Sequence, residues 1–111
     1  MMGGFIDIGK GADDDWFVWR WGFVMLLERA KETLTTPDDL EELDRAMANQ
    51  GLFLADMPPE QAARLVRSIV PAADALAREL RTEARHDVDL TFANRLDEIP
   101  EVLAPFFGQP P

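Results

Sequence analysis

The single histidine of the chain, His86, follows Glu83 by three residues. On a helix this spacing puts a carboxylate and an imidazole on one face, and both groups bind transition metals. A helical metal site of this kind needs a second such pair and further inward glutamates, or a symmetric dimer that supplies them. Arg81 and Arg85 flank the pair, so the sequence favours a surface histidine near a helix C-terminus. Metal binding through Glu83 and His86 stays the alternative, and no metal ligand is assigned.

Two short acidic runs also carry the oxygen ligands that divalent cations prefer. Three consecutive aspartates occupy positions 13–15, and Asp87 and Asp89 flank Val88. Neither run has the alternating ligands and terminal glutamate of a calcium-binding loop. Acidic side chains favour the first turn of a helix, where they lie at the positive end of its dipole. We therefore interpret both runs as helix starts.

Few side chains could act as a nucleophile. The chain contains no cysteine and no tyrosine, and its only serine is Ser68. No histidine stands at a recognisable spacing from that serine. The sequence therefore assigns no catalytic residue and no cofactor, and an enzyme has no support from it.

Length and composition favour one folded domain. A chain of 111 residues buries a sizeable core without disulfides, and 47% hydrophobic with 29% charged residues is ordinary for a globular protein. We expect a single acidic helical domain over residues 1–111, with an N-terminal arm at 1–12 and a loose tail at 108–111. The nine arginines against two lysines hint at a bacterial source.

The net charge of −10 argues against binding to nucleic acid or to an anionic membrane, since both need a basic surface. Residues 37–56 hold six acids and one arginine, a net charge of −5. The apolar run at 16–27 is too short to cross a bilayer and follows three aspartates, unlike a signal peptide. We expect a cytoplasmic protein.

Residues 16–34 contain all three tryptophans and predict the central helix. Seven apolar residues recur there at three- and four-residue spacing, which is typical of a helix face turned to a core: Trp16, Trp19, Phe23, Leu26, Leu27, Ala30 and Leu34. Gly22 is unfavourable in mid-helix by about 1 kcal/mol, so we expect close packing there.

The same segment has a second apolar surface, formed by Phe17, Trp21, Val24 and Met25. A small domain does not easily cover both sides of one helix, so this surface predicts a homodimer or another protein partner. The alternative is that the N-terminal arm and Phe106-Phe107 cover it within a monomer.

A strand is the competing interpretation for the first part of this segment. Phe17, Trp19 and Trp21 alternate with Val18 and other residues, and aromatic side chains favour strands. Paired with the apolar run at 5–8, such a strand would form an N-terminal hairpin. The fold prediction is therefore mainly α, a compact bundle of four or five helices, with an α+β fold carrying a short N-terminal hairpin as the alternative.

Further helices are predicted downstream. Thr36 and Pro37 start a helix over residues 37–50, which Gly51 closes in the left-handed conformation. Residues 59–85 keep one apolar phase across Pro71, which must kink or split that helix. A shorter helix over 89–97 precedes a last turn that starts at Pro100.

The helix over residues 37–50 exposes a row of acids, among them Asp38, Glu41 and Glu42. A solvated surface is the ordinary interpretation, but the row also suits a basic partner. We therefore predict a non-enzymatic protein–protein interaction module, an inhibitor or an immunity- or antitoxin-like protein. Its interface residues would be Phe17, Trp21, Val24, Met25, Asp38, Glu41 and Glu42. The alternatives are a metal-binding helical protein and a helical small-ligand-binding or scaffold domain. In the latter, the aromatic cluster would line a pocket between helices.

Overall fold

The aromatic run near the start of the chain divides at Trp19 between a strand and a helix. The structure is a computed structural model and describes residues 3–9, 16–83 and 86–106. Its strands are β1 (Gly3–Asp7), β2 (Trp16–Trp19) and β3 (Gly51–Phe53). They form one sheet in the order β2-β1-β3, with β1 antiparallel to β2 and parallel to β3.

Helices make up most of the described chain, so the prediction of a mainly α fold is confirmed. The hairpin of the alternative is present beside them. The helices are α1 (Arg20–Lys31), α2 (Pro37–Asn49), α3 (Pro59–Glu83), α4 (Asp87–Leu96) and α5 (Ile99–Leu103). Single 3₁₀ turns follow β3, at Leu54–Asp56, and α5, at Ala104–Phe106.

The predicted start of the central helix at Trp16 is wrong. Residues 16–19 pair with β1 instead, with Trp16 opposite Ile6 and Phe17 opposite Phe5. This pairing buries alternate side chains, so Trp16 is in the core whereas Trp19 is 37% exposed. The ladder satisfies backbone groups that a helix would satisfy locally, and aromatic side chains suit it. Four further residues of the core stripe are confirmed, because Phe23, Leu26, Leu27 and Ala30 are fully buried. Helix α1 ends at Lys31, before the predicted end at Leu34, and Leu34 is only partly buried.

Close packing at Gly22 is confirmed. A Cβ atom at this position would lie 2.8 Å from the ring of Phe92 on α4. The hydrogen side chain therefore lets α4 approach the backbone of α1.

The second helix begins at Pro37 as predicted, but Gly51 does not close it. Gln50 takes the left-handed conformation, with φ at 62°. Gly51 belongs to β3, where a Cβ atom would lie 2.7 Å from the ring of Phe5. The carbonyl of Gln50 accepts a hydrogen bond from the Phe5 amide at 3.2 Å. Gly51 therefore provides space for the Phe5 ring, and the left-handed residue is Gln50, one position earlier.

Helix α3 runs unbroken through Pro71 for 25 residues. It packs on α1 and α4, and its apolar stripe supplies the other half of the core. Leu76 is buried as expected. Leu80 is only partly buried, although its position in the apolar stripe predicts full burial. The residues of α3 after Leu80 are exposed, so Leu80 lies at the edge of the core.

The C-terminal segments follow the predicted order. Helix α4 begins two residues before the predicted start and buries Phe92, Ala93 and Leu96. Leu103 of α5 is buried, and Phe106 packs at the edge of the core. Phe107, the tail at 108–111 and residues 1–2 and 10–12 of the arm lie outside the described residues.

The burial of α3 makes a test of the packing. Leu76→Ala should lower the free energy of unfolding by about 2–5 kcal/mol, because it removes buried methyl groups and leaves a cavity. Leu80→Ala should cost less, since part of that side chain already contacts water. Leu90→Ala is the control, because Leu90 is 44% exposed. Equal denaturation midpoints for all three variants would contradict this packing.

The backbone at Gln50 makes a second test. Gln50→Gly should raise the free energy of unfolding by about 0.5–1 kcal/mol, because glycine adopts positive φ without steric cost. Ala48→Gly, at an exposed position of α2, is the matched control and should lose up to about 1 kcal/mol. Thermal or urea unfolding measures both variants. A loss of stability for Gln50→Gly equal to that of the control would rule out relief of strain.

Candidate functional site: an exposed aromatic surface beside an acidic helix

Three phenylalanines lie together on the outer side of the sheet. The ring centroids of Phe5 and Phe17 are 5.8 Å apart, and those of Phe5 and Phe53 are 5.3 Å apart in an edge-to-face arrangement. Phe17 is 47% exposed and Phe53 is 40% exposed. Successive side chains of a strand point to opposite faces, so residues that bury Trp16 and Ile6 must turn these rings outward. We call Phe5, Phe17 and Phe53 the aromatic sheet face.

A second exposed surface continues from it onto the start of α1. The indole rings of Trp19 and Trp21 stack 5.7 Å apart with an interplanar angle of 9°. Trp21 is 41% exposed and Met25, one helical turn later, is 40% exposed. Trp19 is two residues from Phe17 on the same side of β2, so the two surfaces adjoin. We call Trp21, Val24 and Met25 the helix face.

Arg95 of α4 contacts the free edge of β2. Arg95 Nε donates a hydrogen bond to the carbonyl of Phe17 at 3.1 Å, and the Arg95 carbonyl accepts one from the Trp16 indole at 2.8 Å. The guanidinium also lies 6.0 Å from the centre of the Trp16 ring and pairs with Glu98. Strand edges are templates for pairing with other chains. Because Arg95 occupies the Phe17 carbonyl, strand pairing at this edge is hindered, and the exposed side-chain faces are the larger surface for a partner.

The predicted apolar interface residues fall on these two faces. Phe17, Trp21 and Met25 are exposed, and Val24 is half-buried. Residues 3–7 of the predicted arm form the central strand of the sheet, and Phe106 lines a cleft with Pro59. Sequence reasoning did not assign Phe5, Phe53 or Trp19 to the interface. The alternation of Phe17 with Trp19 was the signal for Trp19, whereas Phe53 lies in a strand too short to show a pattern.

The acidic helix meets the aromatic sheet face at Phe53. Glu42 and Arg45 of α2 line a shallow groove of about 200 Å³ together with Phe53 and Asp56. Arg45 pairs with Glu42 at 3.1 Å and with Glu41 at 3.4 Å. Asp38 and Glu41 are exposed and Glu42 is half-buried. Three of the predicted acids therefore lie on the helix that borders the aromatic rings.

One acid of α2 is internal. Asp39 is 1% exposed and accepts hydrogen bonds from Arg64 Nε at 2.8 Å and Nη2 at 3.0 Å, with Gln61 adding a third at 3.3 Å. The hydrogen bond from Arg64 is the main reason that the pKa of Asp39 lies below its ordinary value. Sequence reasoning missed this role, although Asp39 is in helical phase with the buried Leu43.

Glu83 and His86 do not lie on one helix, as the metal-binding alternative required. The surface position predicted for His86 is confirmed, but His86 lies at the start of α4 and not near a helix C-terminus. Helix α3 ends at Glu83, whereas His86 has extended backbone, with φ −140° and ψ 152°, and is the N-cap of α4. Asp87 and Asp89 lie in the first turn of α4, as expected for a helix start. Positions 13–15 lie outside the described residues. Within 3–9, 16–83 and 86–106, no group of three histidine, cysteine or acidic side chains could hold a metal.

Ser68 has a packing role. It is 7% exposed, and the hydroxyl of Thr33 donates a hydrogen bond to its Oγ at 2.9 Å. Thr33 follows α1 and Ser68 lies in α3, so the two hydroxyls join these helices.

The small-ligand alternative predicted a pocket lined by the aromatic cluster. The exposed rings instead lie on the outside of the sheet and at the start of α1. An apolar cleft of about 400 Å³ lies elsewhere, between the 3₁₀ turn after β3 and the end of α5. Its lining is Leu54, Ala55, Met57, Pro59, Ala62, Pro105 and Phe106.

Comparison with protein-family models, curated proteins and solved structures gives no match to this chain. Among the helices that the structure describes, none has the length and apolar character needed to cross a bilayer. The functional argument therefore rests on the exposed faces and their charges.

The buried carboxylate predicts a pH dependence. Because the folded-state pKa of Asp39 is lowered, its stabilising contribution is present above the unfolded value of about 3.9 and is lost as pH falls through the folded value. Asp39→Asn should be less stable than wild type at pH 7, and its stability should fall less steeply below about pH 4.

Urea unfolding at several pH values measures this effect. Asp38→Asn, at the exposed neighbouring position, is the matched control for the change in net charge alone. Parallel acid limbs for wild type and Asp39→Asn would contradict the role of the Asp39–Arg64 pair.

Proposed function

We propose that this protein is a non-enzymatic, cytoplasmic interaction module that binds a basic protein partner, as an inhibitor or an immunity- or antitoxin-like protein does. The observation that carries the proposal is the exposed aromatic sheet face beside the acidic helix α2. A second copy of the chain is the other partner that we propose, on the neighbouring helix face.

The aromatic sheet face has the composition of a binding anchor. Aromatic side chains are enriched at the centres of protein interfaces and contribute much of the binding free energy. Phe17 and Phe53 flank Phe5 in ring contact, so the set is already ordered before a partner arrives. Little side-chain entropy is then lost on binding.

The charge favours a basic partner. The chain carries −10 overall, and the acids of α2 border the rings at Phe53 through Glu42. Complementary charge accelerates the encounter of two proteins and excludes partners of like charge. The rings would then govern the dissociation rate, and the acids would govern the association rate.

Affinity capture from the native host tests the proposal. Baits of wild type, Phe17→Ala, Phe53→Ala and Leu90→Ala are compared by quantitative mass spectrometry. Leu90 is the matched control, because it is exposed to 44%, close to Phe17 at 47%, but lies on α4. A basic protein retained by wild type and Leu90→Ala, and lost from both phenylalanine variants, is the expected result. A capture profile identical for all four baits would refute the proposal.

The acids make a kinetic prediction about the captured partner. The triple variant Asp38→Asn, Glu41→Gln, Glu42→Gln should unfold at nearly the wild-type denaturant concentration, because exposed ion pairs contribute little to stability. It should associate more slowly and with a shallower salt dependence, because it carries three fewer negative charges. Surface plasmon resonance at low and high salt measures the association rates. Equal rates for the two proteins at low salt would remove electrostatic steering from the proposal.

A further inference from the structure

Five residues lie on one exposed side of α1. On a helical wheel, Arg20, Trp21, Val24, Met25 and Glu28 fall within less than half a turn. All of them are exposed except Val24, which is half-buried. The opposite side of α1 is buried in the core. The exposed side therefore has an apolar centre with one cation and one anion at its two ends.

Arg20, the cation at the first end, is exposed. Among the described residues, no carboxylate pairs with Arg20. Six other arginines each bind one: Arg29, Arg45, Arg64, Arg78, Arg81 and Arg95. In a protein of net charge −10, an exposed arginine beside two tryptophans is a notable departure from the general charge.

The anion at the other end is held only weakly. Glu28 approaches Lys31 at 4.0 Å, whereas Lys31 makes its short contact, 2.6 Å, with Asp44. Both charged ends of this face are therefore available to a partner, and their order along α1 is fixed.

We propose that two copies of the chain form a two-fold dimer through this side of α1, with Arg20 of each copy paired with Glu28 of the other. Arg20 and Glu28 are eight residues apart, roughly 12 Å along the helix axis. A two-fold axis that passes beside Val24, between the two copies of α1 and perpendicular to both, makes the two helices antiparallel. It then brings each arginine beside the other copy's glutamate, since these residues lie at equal distances from Val24.

The apolar residues occupy the centre of this arrangement. Trp21 of each copy comes to lie near Val24 and Met25 of the other, and the two valines face each other at the axis. A parallel arrangement would instead place the two arginines together and the two glutamates together. Like charges in such proximity are unfavourable, so the antiparallel dimer is the one that the charge pattern selects.

The available area sets the strength of the contact. Trp19, Trp21 and Met25 are 37–41% exposed, so each has roughly 60–100 Å² of accessible surface. With Arg20, Val24 and Glu28 the face offers roughly 500 Å² per copy, about 1,000 Å² in total. That is the low end of specific interfaces. The dimer is therefore reversible and depends on protein concentration.

This inference rests on the proposed function, in which the exposed aromatic surfaces serve binding, and it assigns the helix face to the second copy. The aromatic sheet face stays available for the basic partner. Variants of Arg20 and Glu28 leave Phe17 and Phe53 unchanged, so the capture result and the dimerisation result can fail independently.

A charge exchange tests the dimer. Sedimentation equilibrium over a wide concentration range compares wild type, Arg20→Glu, Glu28→Arg and the double variant. Each single variant should dimerise at least about tenfold more weakly, because it puts like charges together at both ends. The double variant restores both pairs and should return to within about threefold of wild type. Both changed positions, Arg20 and Glu28, are exposed, and circular dichroism checks that each variant is folded.

Net charge is controlled within the same set. The single variants change the charge of −10 in opposite directions, to about −12 and about −8, and the double variant keeps it. If Glu28→Arg strengthened association while Arg20→Glu weakened it, general repulsion would explain the data and the pairing would be wrong. A wild-type monomer at every concentration, or a dimer insensitive to all three variants, would equally overturn the proposal.

Discussion

The contact between Phe23 and Gly4 joins the two parts of the molecule. Gly4 lies in β1, the central strand, and Phe23 lies in α1, which packs on α3. A Cβ atom at position 4 would lie 2.2 Å from Cγ of the Phe23 ring, so the ring lies directly on the strand backbone. Any larger residue at position 4 would separate the sheet from the helix. The inner face of the sheet is thereby fixed, and strand alternation then turns Phe5 and Phe17 outward.

The charged residues act in two ways, in contacts within the chain and in the proposed attraction of a partner. Several arginines and one lysine join neighbouring elements, as in the pairs Arg29–Glu79, Lys31–Asp44 and Arg81–Asp97. Each exposed pair of this kind adds little stability. Together, these pairs engage most of the basic side chains in contacts within the chain. The acids outnumber the basic residues by ten, so an excess of acid stays uncompensated. This excess produces the field on which the proposed attraction of a basic partner depends.

Arg95 links the outer strand β2 to α4. Its side chain binds the Phe17 carbonyl and its own carbonyl accepts a hydrogen bond from the Trp16 indole. One backbone acceptor on the edge of β2 is thereby occupied, which disfavours pairing with another strand there. The sheet has only three short strands, and its stability comes from the helices that cover one side. The opposite side keeps its aromatic rings, which is costly in water unless a partner uses them. The two proposed associations assign one partner to each half of this surface.

The sequence by itself determined the elements whose signals are local. Helical periodicity over many residues predicts the apolar phase of α3 and the buried residues Phe23, Leu26, Leu27 and Ala30 of α1. The proline at position 37 predicts the start of α2. It also identified Phe17, Trp21 and Met25 as apolar residues outside the core stripe. The tertiary structure decided the features that depend on residues distant in the sequence. Trp16–Trp19 is a strand because β1 pairs with it, and Gly51 is not the left-handed helix end because in β3 it pairs with Phe5 and packs against that ring. Asp39 became internal because Arg64, 25 residues away, reaches it. Periodicity records only which neighbours along the chain share a face, whereas these outcomes depend on which distant groups share a space.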